Sequence, residues 1–315
     1  MRIINGRHNA QKINGPVAAT IGNFDGVHLG HQALLGHLKT VAAQSQKPAM
    51  LITFEPSPQE FFLGDNAPGR LTRLREKLRL LQELDYVVML PFNHSLAQQS
   101  AEQFVRYTLQ QELQVDYLLV GDDFHFGKNR LGNFALLKSM ADKQRFVVEK
   151  TKMMTVHGER ISSSRIRTAL QNGDLVTAQR LLGRPYCMLG RIVQGQQRGR
   201  TIGFPTANVF LQRHRSPILG VYAVKVHGLA KDAFYGVANV GNRPTVGGTR
   251  SLLEIHLFDF YEDIYGKYIK VEFCHKIRDE KRFASFAVLK KQITIDAQQA
   301  RVFFALEQTQ TSAKN

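Results

Sequence analysis

Along the first half of the chain, short apolar runs alternate with segments whose apolar residues recur every three or four positions. Val17–Ile21, Met50–Phe54, Tyr86–Leu90, Val115–Val120 and Phe146–Glu149 read as strands. Between them, Gln32–Thr40, Leu71–Leu84 and Ala101–Leu113 carry helical spacing, with Leu34, Leu35 and Leu38 on one side of the first. Apolar strands separated by amphipathic helices predict an α/β domain whose parallel sheet is covered on both faces. In such sheets ligands gather at the carboxyl ends of the strands. The pattern changes after Leu182, where Gly183-Arg184-Pro185 reads as a boundary. Met188–Val193, Val221–Val226, Phe234–Val240, Leu252–Phe258 and Tyr268–Phe273 then follow without intervening helices. That arrangement predicts an antiparallel sheet or β-barrel. A final helix is expected over Phe283–Phe304, since Phe283, Phe286, Ile293, Ala297, Ala300 and Phe304 keep helical spacing. The polar tail from Glu307 to Asn315 is expected to fray. The expected domains are therefore residues 1–183 and 184–315.

At 315 residues, two domains are the natural expectation. The apolar runs are too short to span a bilayer. No apolar stretch follows the first basic residues, so no signal peptide is expected. Two cysteines, Cys187 and Cys274, support neither a disulfide framework nor a zinc knuckle. A reducing cytoplasmic location follows as the expectation. The formal net charge of +16 suits anionic partners: nucleotides, nucleic acid or a membrane surface. The basic residues are scattered, and no RNA-binding aromatic signature or helix-turn-helix spacing stands out. A basic nucleic-acid-binding protein is the secondary reading, and charge alone does not separate ATP from RNA.

The candidate chemistry is concentrated in a few strings. Thr20 to His31 reads TIGNFDGVHLGH: the end of a strand, a glycine-punctuated turn and a helix start. This layout aims backbone N–H groups at an anion. His28 and His31 sit at the helix mouth and can donate hydrogen bonds to phosphate oxygens. They make a poor zinc site, because no third ligand follows at a suitable spacing. Gly121 to Gly127 reads GDDFHFG: two aromatics and carboxylates in a glycine turn. They either plug the core or stack on a flat ring and bond its edge. Ile161 to Arg167 reads ISSSRIR: serines that cap a helix, with an arginine completing an anion site. Gly195 to Asn208 reads GQQRGRTIGFPTAN. A glycine- and arginine-rich loop can fold over phosphates, although the Walker A ending is missing. Thr206 and Asn208 alternate in an extended segment and turn both oxygens to one side, as magnesium requires. In Leu253 to Leu257, alternation separates Leu253, Ile255 and Leu257 from Glu254 and His256.

Together these strings resemble those of the prokaryotic bifunctional riboflavin kinase/FAD synthetases over roughly Pro16 to Phe304. The first matches the G-x-F-D-G-V-H-x-G-H form of the nucleotidyltransferase H-x-G-H signature. The second matches a G-x-D-F-x-F-G flavin loop, and the third an S-S-T-x-I-R pattern in which Ser164 replaces threonine. The GFPTAN string resembles the riboflavin kinase signature. Gly220 to Val224, Asn239 to Thr245 and Arg278 to Phe283 match further family segments. Two departures stand out: Ser57 and Gln194 occupy positions where many relatives carry histidine.

The resemblance implies a Rossmann-like nucleotidyltransferase domain followed by a kinase barrel with a C-terminal helix. The implied substrates are riboflavin, FMN and ATP, with Mg2+ as cofactor; neither nucleic acid nor membrane is expected. It implies that Gly22, Asn23, Phe24, Asp25, His28, His31, Ser162, Ser163, Ser164 and Arg167 bind ATP for adenylyl transfer, with His28, His31 and Arg167 also catalytic. Phe62, Asp123, Phe124 and Phe126 would hold the flavin there. In the kinase, Gly195, Gly199, Arg200, Gly203, Pro205, Thr206 and Asn208 would bind ATP, Thr206 and Asn208 also holding the metal. Glu254 occupies the general base's position and, with Arg278 and Phe283, would contact the flavin of the kinase; the match gives His256 no role. The rival within the family is a chain with one active domain, or with another substrate for adenylyl transfer.

Overall fold

The computed structural model describes residues 1–144, 146–151, 155–156, 158–194, 204–213, 215–245 and 248–312. They form two compact units: residues 1–68 with 77–162, and residues 69–76 with 163–315.

The first unit holds a six-stranded parallel sheet in the order β1-β4-β3-β2-β5-β6. The strands are β1 (Arg2–Asn5), β2 (Val17–Ile21), β3 (Ala49–Phe54), β4 (Tyr86–Leu90), β5 (Val115–Gly121) and β6 (Val147–Thr151). Every residue of β2 and of β4 is buried, as two-sided coverage demands. The chain steps from β2 outward to β3 and β4, then returns to β5 on the other flank of β2. That reversal makes a switch point at the carboxyl ends of β2 and β5, where ligands bind in sheets of this kind. Gly22 leaves the sheet there on one side and Gly121 ends β5 on the other. The edge strand β1 was not expected from the sequence; Ile4 is its sole buried residue, so it shows no apolar run.

Helices α1 (Leu29–Gln44), α2 (Pro58–Leu63), α3 (Leu74–Leu80), α4 (His94–Ala97), α5 (Ala101–Gln103) and α6 (Phe134–Gln144) connect the strands. α3 is shorter than the Leu71–Leu84 periodicity predicts. α5 starts on a capping box of Ser100 and Gln103 and continues as a π-helix over Phe104–Glu112. A short hairpin, β7 (Thr155–Val156) and β8 (Glu159–Arg160), ends the unit.

The second unit contains α7 (Ser163–Gln171), α8 (Leu175–Leu182) and a closed antiparallel barrel. Its strands are β9 (Cys187–Val193), β10 (Ala207–Phe210), β11 (Gly220–His227), β12 (Phe234–Thr245), β13 (Gly248–Leu257) and β14 (Tyr268–Arg278). Val209, Tyr222, Val224, Leu253 and Ile255 are each at most 1 % exposed and fill the interior. Alternation turns Val221, Ala223 and Val237 outward, where α9 (Phe286–Ser312) covers them with Ala297, Ala300 and Phe304. The compact division at 162/163 and the change of sequence pattern at 183/184 fall at different places. α7 and α8 continue the helical pattern of the first half yet cluster with the barrel. Gly183, in the left-handed region at φ 72°, closes α8. A buried ion pair, Arg213 with Glu76 at 2.5 Å, ties residues 69–76 into this unit. Glu76 also accepts the Leu189 N–H at 2.8 Å. Cys187 and Cys274 are free, and burial pushes each thiol up to about 12.

Candidate active sites

The glycine turn after β2 is held in an unusual backbone shape. Phe24, Gly26 and Val27 all have positive φ, at 48°, 84° and 39°. Such angles cost free energy in non-glycine residues and concentrate at functional turns. The turn delivers His28 as the N-cap of α1, where its Nδ1 accepts the His31 N–H at 3.3 Å. That bond leaves Nε2 as the protonated nitrogen of neutral His28. The His31 ring stacks on His28 with centroids 3.6 Å apart and on Phe24 at 4.5 Å. Gly30 accommodates the stack: a Cβ there would lie 3.2 Å from His28 Nδ1. His31 Nδ1 is buried without a hydrogen-bond partner among the described residues. Burial holds the His31 pKa well below the usual imidazole range, aided by the nearby His28 and Lys77 charges.

Lys77 is a residue that the sequence reading missed. Its ammonium is buried under the turn and donates to the Asn23 carbonyl at 2.7 Å and to Thr53 Oγ1 at 3.5 Å. A lysine in a charged helix reads as solvated, and its partner Asn23 lies 54 positions away. The side-chain Oδ1 of Asn23 is itself buried without a partner among the described residues. Asp25 lies beside it, half-buried.

A cavity of about 930 Å³ opens in the first unit. Its wall is aromatic: Phe54, Phe61, Phe62, Phe92 and Phe124. Phe54 ends β3 and Phe92 follows β4, so both stand at the carboxyl edge of the sheet. Both aromatics of the GDDFHFG loop line the cavity and pack on the core. Phe126 is 7 % exposed and joins the core, while half-buried Phe124 stacks on it at 5.3 Å and lines the cavity. Phe62 is 67 % exposed at the rim. Asp123 forms an ion pair with Arg160. Ser57 is the N-cap of α2 and forms a capping box with Glu60.

Ser162 belongs to the first unit, whereas Ser163, Ser164 and Arg167 stand in the opening turns of α7 in the second. Arg167 Nε donates to the Gly69 carbonyl at 2.8 Å.

In the barrel, Asn208 on β10 pairs with Glu254 on β13, and Glu254 pairs with Asn239 on β12. Directly opposed residues of an antiparallel ladder share a face. The neighbours Val209, Leu253 and Ile255 point inward, so Asn208, Asn239 and Glu254 sit together on the outer face. Thr206 stands just before β10, which begins at Ala207. His256 Nδ1 lies 3.0 Å from the Pro205 carbonyl, and its ring meets Phe204 edge-on at 5.1 Å. Burial lowers the His256 pKa, the Pro205 bond opposes it and the Arg301 charge adds to it. A second cavity, of about 310 Å³, adjoins Pro205 and Thr206 and is rimmed by Phe260, Tyr261 and Tyr265. Arg278 is engaged by Asp296 of α9 through three contacts of 2.7 to 3.0 Å and lies 5.6 Å from the Phe283 ring centroid. Gly195, Gly199, Arg200 and Gly203 lie outside the described residues.

Among the described residues no group of three or more His, Cys, Asp or Glu side chains could hold a metal ion. Magnesium bound with a nucleotide needs less, because it keeps waters and takes phosphate oxygens beside one or two protein ligands. The hard side-chain oxygens of Thr206 and Asn208, two positions apart, fit that requirement.

Comparison with known proteins agrees with this anatomy. A family model for FAD synthetase matches residues 10–165, and one for riboflavin kinase matches residues 182–304. The chain is 49 % identical over 306 residues to the bifunctional riboflavin kinase/FMN adenylyltransferase of Haemophilus influenzae, covering 96 % of this chain and 99 % of that protein. It is 48 % identical over 309 residues to the enzyme of the same name from Escherichia coli K12, covering 97 % and 99 %. A crystal structure described as a macrolide-efflux protein from Streptococcus pneumoniae matches with a TM-score of 0.78 at 30 % identity, covering 96 % of this chain and 99 % of that one. No helix among the described residues here is long and apolar enough to cross a membrane. Both functional halves are matched in order and at nearly full length, so the chain belongs to the bacterial bifunctional riboflavin kinase/FMN adenylyltransferases.

Proposed function

We propose that the two units carry out consecutive ATP-dependent steps, phosphorylation of riboflavin to FMN and adenylylation of FMN to FAD, with the following residues in each role. On the barrel face, Glu254 accepts the proton of the terminal ribityl hydroxyl as that oxygen attacks the γ-phosphorus of ATP. ADP leaves, and FMN remains. The observation that carries this assignment is the register that sets Asn208 opposite Glu254. Thr206 and Asn208 would hold the nucleotide's magnesium, which would neutralise charge on the phosphates. The cavity beside Thr206, with its aromatic rim, suits the nucleotide's base. Arg278 and Phe283 border the flavin.

For the second step, the FMN phosphate attacks the α-phosphorus of ATP and pyrophosphate leaves. The nucleophile is already an anion, so the protein's task is to position and stabilise rather than to remove a proton. His28 and His31 donate to phosphate oxygens at the N-terminus of α1, with Gly22, Asn23, Phe24 and Asp25 shaping the turn. The aromatic cavity takes the isoalloxazine against Phe62 and Phe124, and Phe126 backs Phe124. Ser162, Ser163, Ser164 and Arg167 keep the triphosphate role that their motif implies. The free thiols suit a reducing cytoplasm.

Incubation of the purified protein with riboflavin, ATP and magnesium, followed by chromatography of the flavins, tests the reading. FMN followed by FAD is expected. FMN alone would remove the adenylyl-transfer assignment, and unchanged riboflavin would remove the kinase assignment.

A further inference from the structure

The family match gives His256 no role, yet the structure builds a chain of contacts through it. Arg301 of α9 forms a two-pronged pair with Asp259 at 2.9 Å and lies 4.3 Å from the centroid of Phe258. Phe258 meets the edge of His256 at 5.9 Å. His256 in turn touches Phe204 and bonds the Pro205 carbonyl. A carbonyl only accepts, so Nδ1 is the donor. Pro205 has no N–H, and β10 begins only at Ala207. Ladder hydrogen bonds therefore do not fix Phe204, Pro205 and Thr206, and their geometry depends on side-chain contacts.

We propose that His256 is a positioning residue for the kinase: its Nδ1–H···O=C bond to Pro205, with its ring against Phe204, locks the run before β10 that presents Thr206 to the nucleotide. This rests on the reading that Thr206 and Asn208 serve the kinase reaction. Support residues behind such ligands commonly contribute 10- to 100-fold to activity.

The test compares His256→Asn, His256→Gln and His256→Leu in the full-length protein. The amide nitrogen of asparagine falls near the position of Nδ1, and that of glutamine near Nε2. Leucine keeps bulk without a donor. The expected result is a loss of about 10- to 100-fold in kcat for riboflavin phosphorylation in the Leu and Gln variants, with the KM for riboflavin unchanged. The Asn variant is expected to recover most of the rate. Hydrogen exchange over residues 204–210, measured without nucleotide, is expected to quicken in the Leu and Gln variants and to stay slow with Asn. Slow hydrogen exchange over the barrel strands β11 and β14 in the same preparations reports barrel folding; if the Leu variant fails to fold, the Asn–Gln comparison decides. Equal rates and equal exchange in the Asn and Gln variants would overturn the proposal, as would a Leu variant matching wild type. A Thr206→Val variant with full kinase activity would instead overturn the underlying site reading.

Discussion

Asn208 on β10 and Glu254 on β13 stand directly opposite each other on the outer face of the barrel. This pairing brings an amide and a carboxylate together from positions 46 residues apart in the chain, 208 and 254. Replacing Glu254 by Gln keeps the shape and removes the base. Riboflavin phosphorylation is expected to fall by ~10²–10⁴-fold, the usual worth of a general base. Adenylylation of supplied FMN should be unchanged. Initial rates of the two reactions measured separately check this, and a kinase rate near wild type would remove Glu254 from its role.

His31 is predicted to stay neutral well into the acidic range. Its folded-state pKa lies below the ordinary value, chiefly through burial, then through His28 and Lys77. The neutral form therefore favours the folded state. That contribution is complete above about pH 6.5 and is lost as pH falls through and below this value toward the folded pKa. Imidazole NMR titration should show His31 without a transition near its ordinary pKa. In Lys77→Met the transition should move upward, because one nearby positive charge is gone. A His31 that titrates as a free imidazole in the wild type would contradict the burial argument.

Gly127 governs the position of the aromatic loop. Its φ is 71°, and a Cβ there would lie 2.7 Å from the backbone of Ala101. Gly127→Ala should shift the loop that carries Phe124 and cost on the order of 1–3 kcal/mol. The expected kinetic signature is a raised KM for FMN in adenylylation with an unchanged kinase rate. Steady-state kinetics and urea unfolding of the variant supply both numbers.

The Arg213–Glu76 pair is a structural device of the second unit. Their side chains are 1 % and 5 % exposed. Removing one partner strands the other charge in the interior, so Arg213→Met should destabilise by about 3–5 kcal/mol. The double variant Arg213→Met, Glu76→Leu should recover much of the loss, because no unpaired charge remains. Denaturant midpoints of the single and double variants test the coupling.

The parallel sheet was legible because buried strands must be apolar throughout, and β2 through β5 announce themselves. β1 was not, because an edge strand with one buried residue has no pattern to read. β10 was legible only as an extended segment, since four residues of mixed polarity carry little periodicity. His28 and His31 were evident from their turn, whereas their stacking on each other and the ammonium beneath them were not. Lys77 reaches Asn23 by tertiary packing, and local spacing has no means to show it. Likewise, alternation put Glu254 and His256 on one face, but the register that pairs Glu254 with Asn208 depends on barrel closure.

Riboflavin phosphorylation through Glu254 and FMN adenylylation through His28 and His31 are two separate reactions of one chain. The direct measurement mixes two variants, Glu254→Gln and the double variant His28→Ala, His31→Ala, with riboflavin, ATP and magnesium. Separately, the first should leave riboflavin unchanged and the second should stop at FMN. Mixed, they should yield FAD, because FMN released by one chain is adenylylated by the other. FAD formed by either variant alone at the wild-type rate would contradict the account.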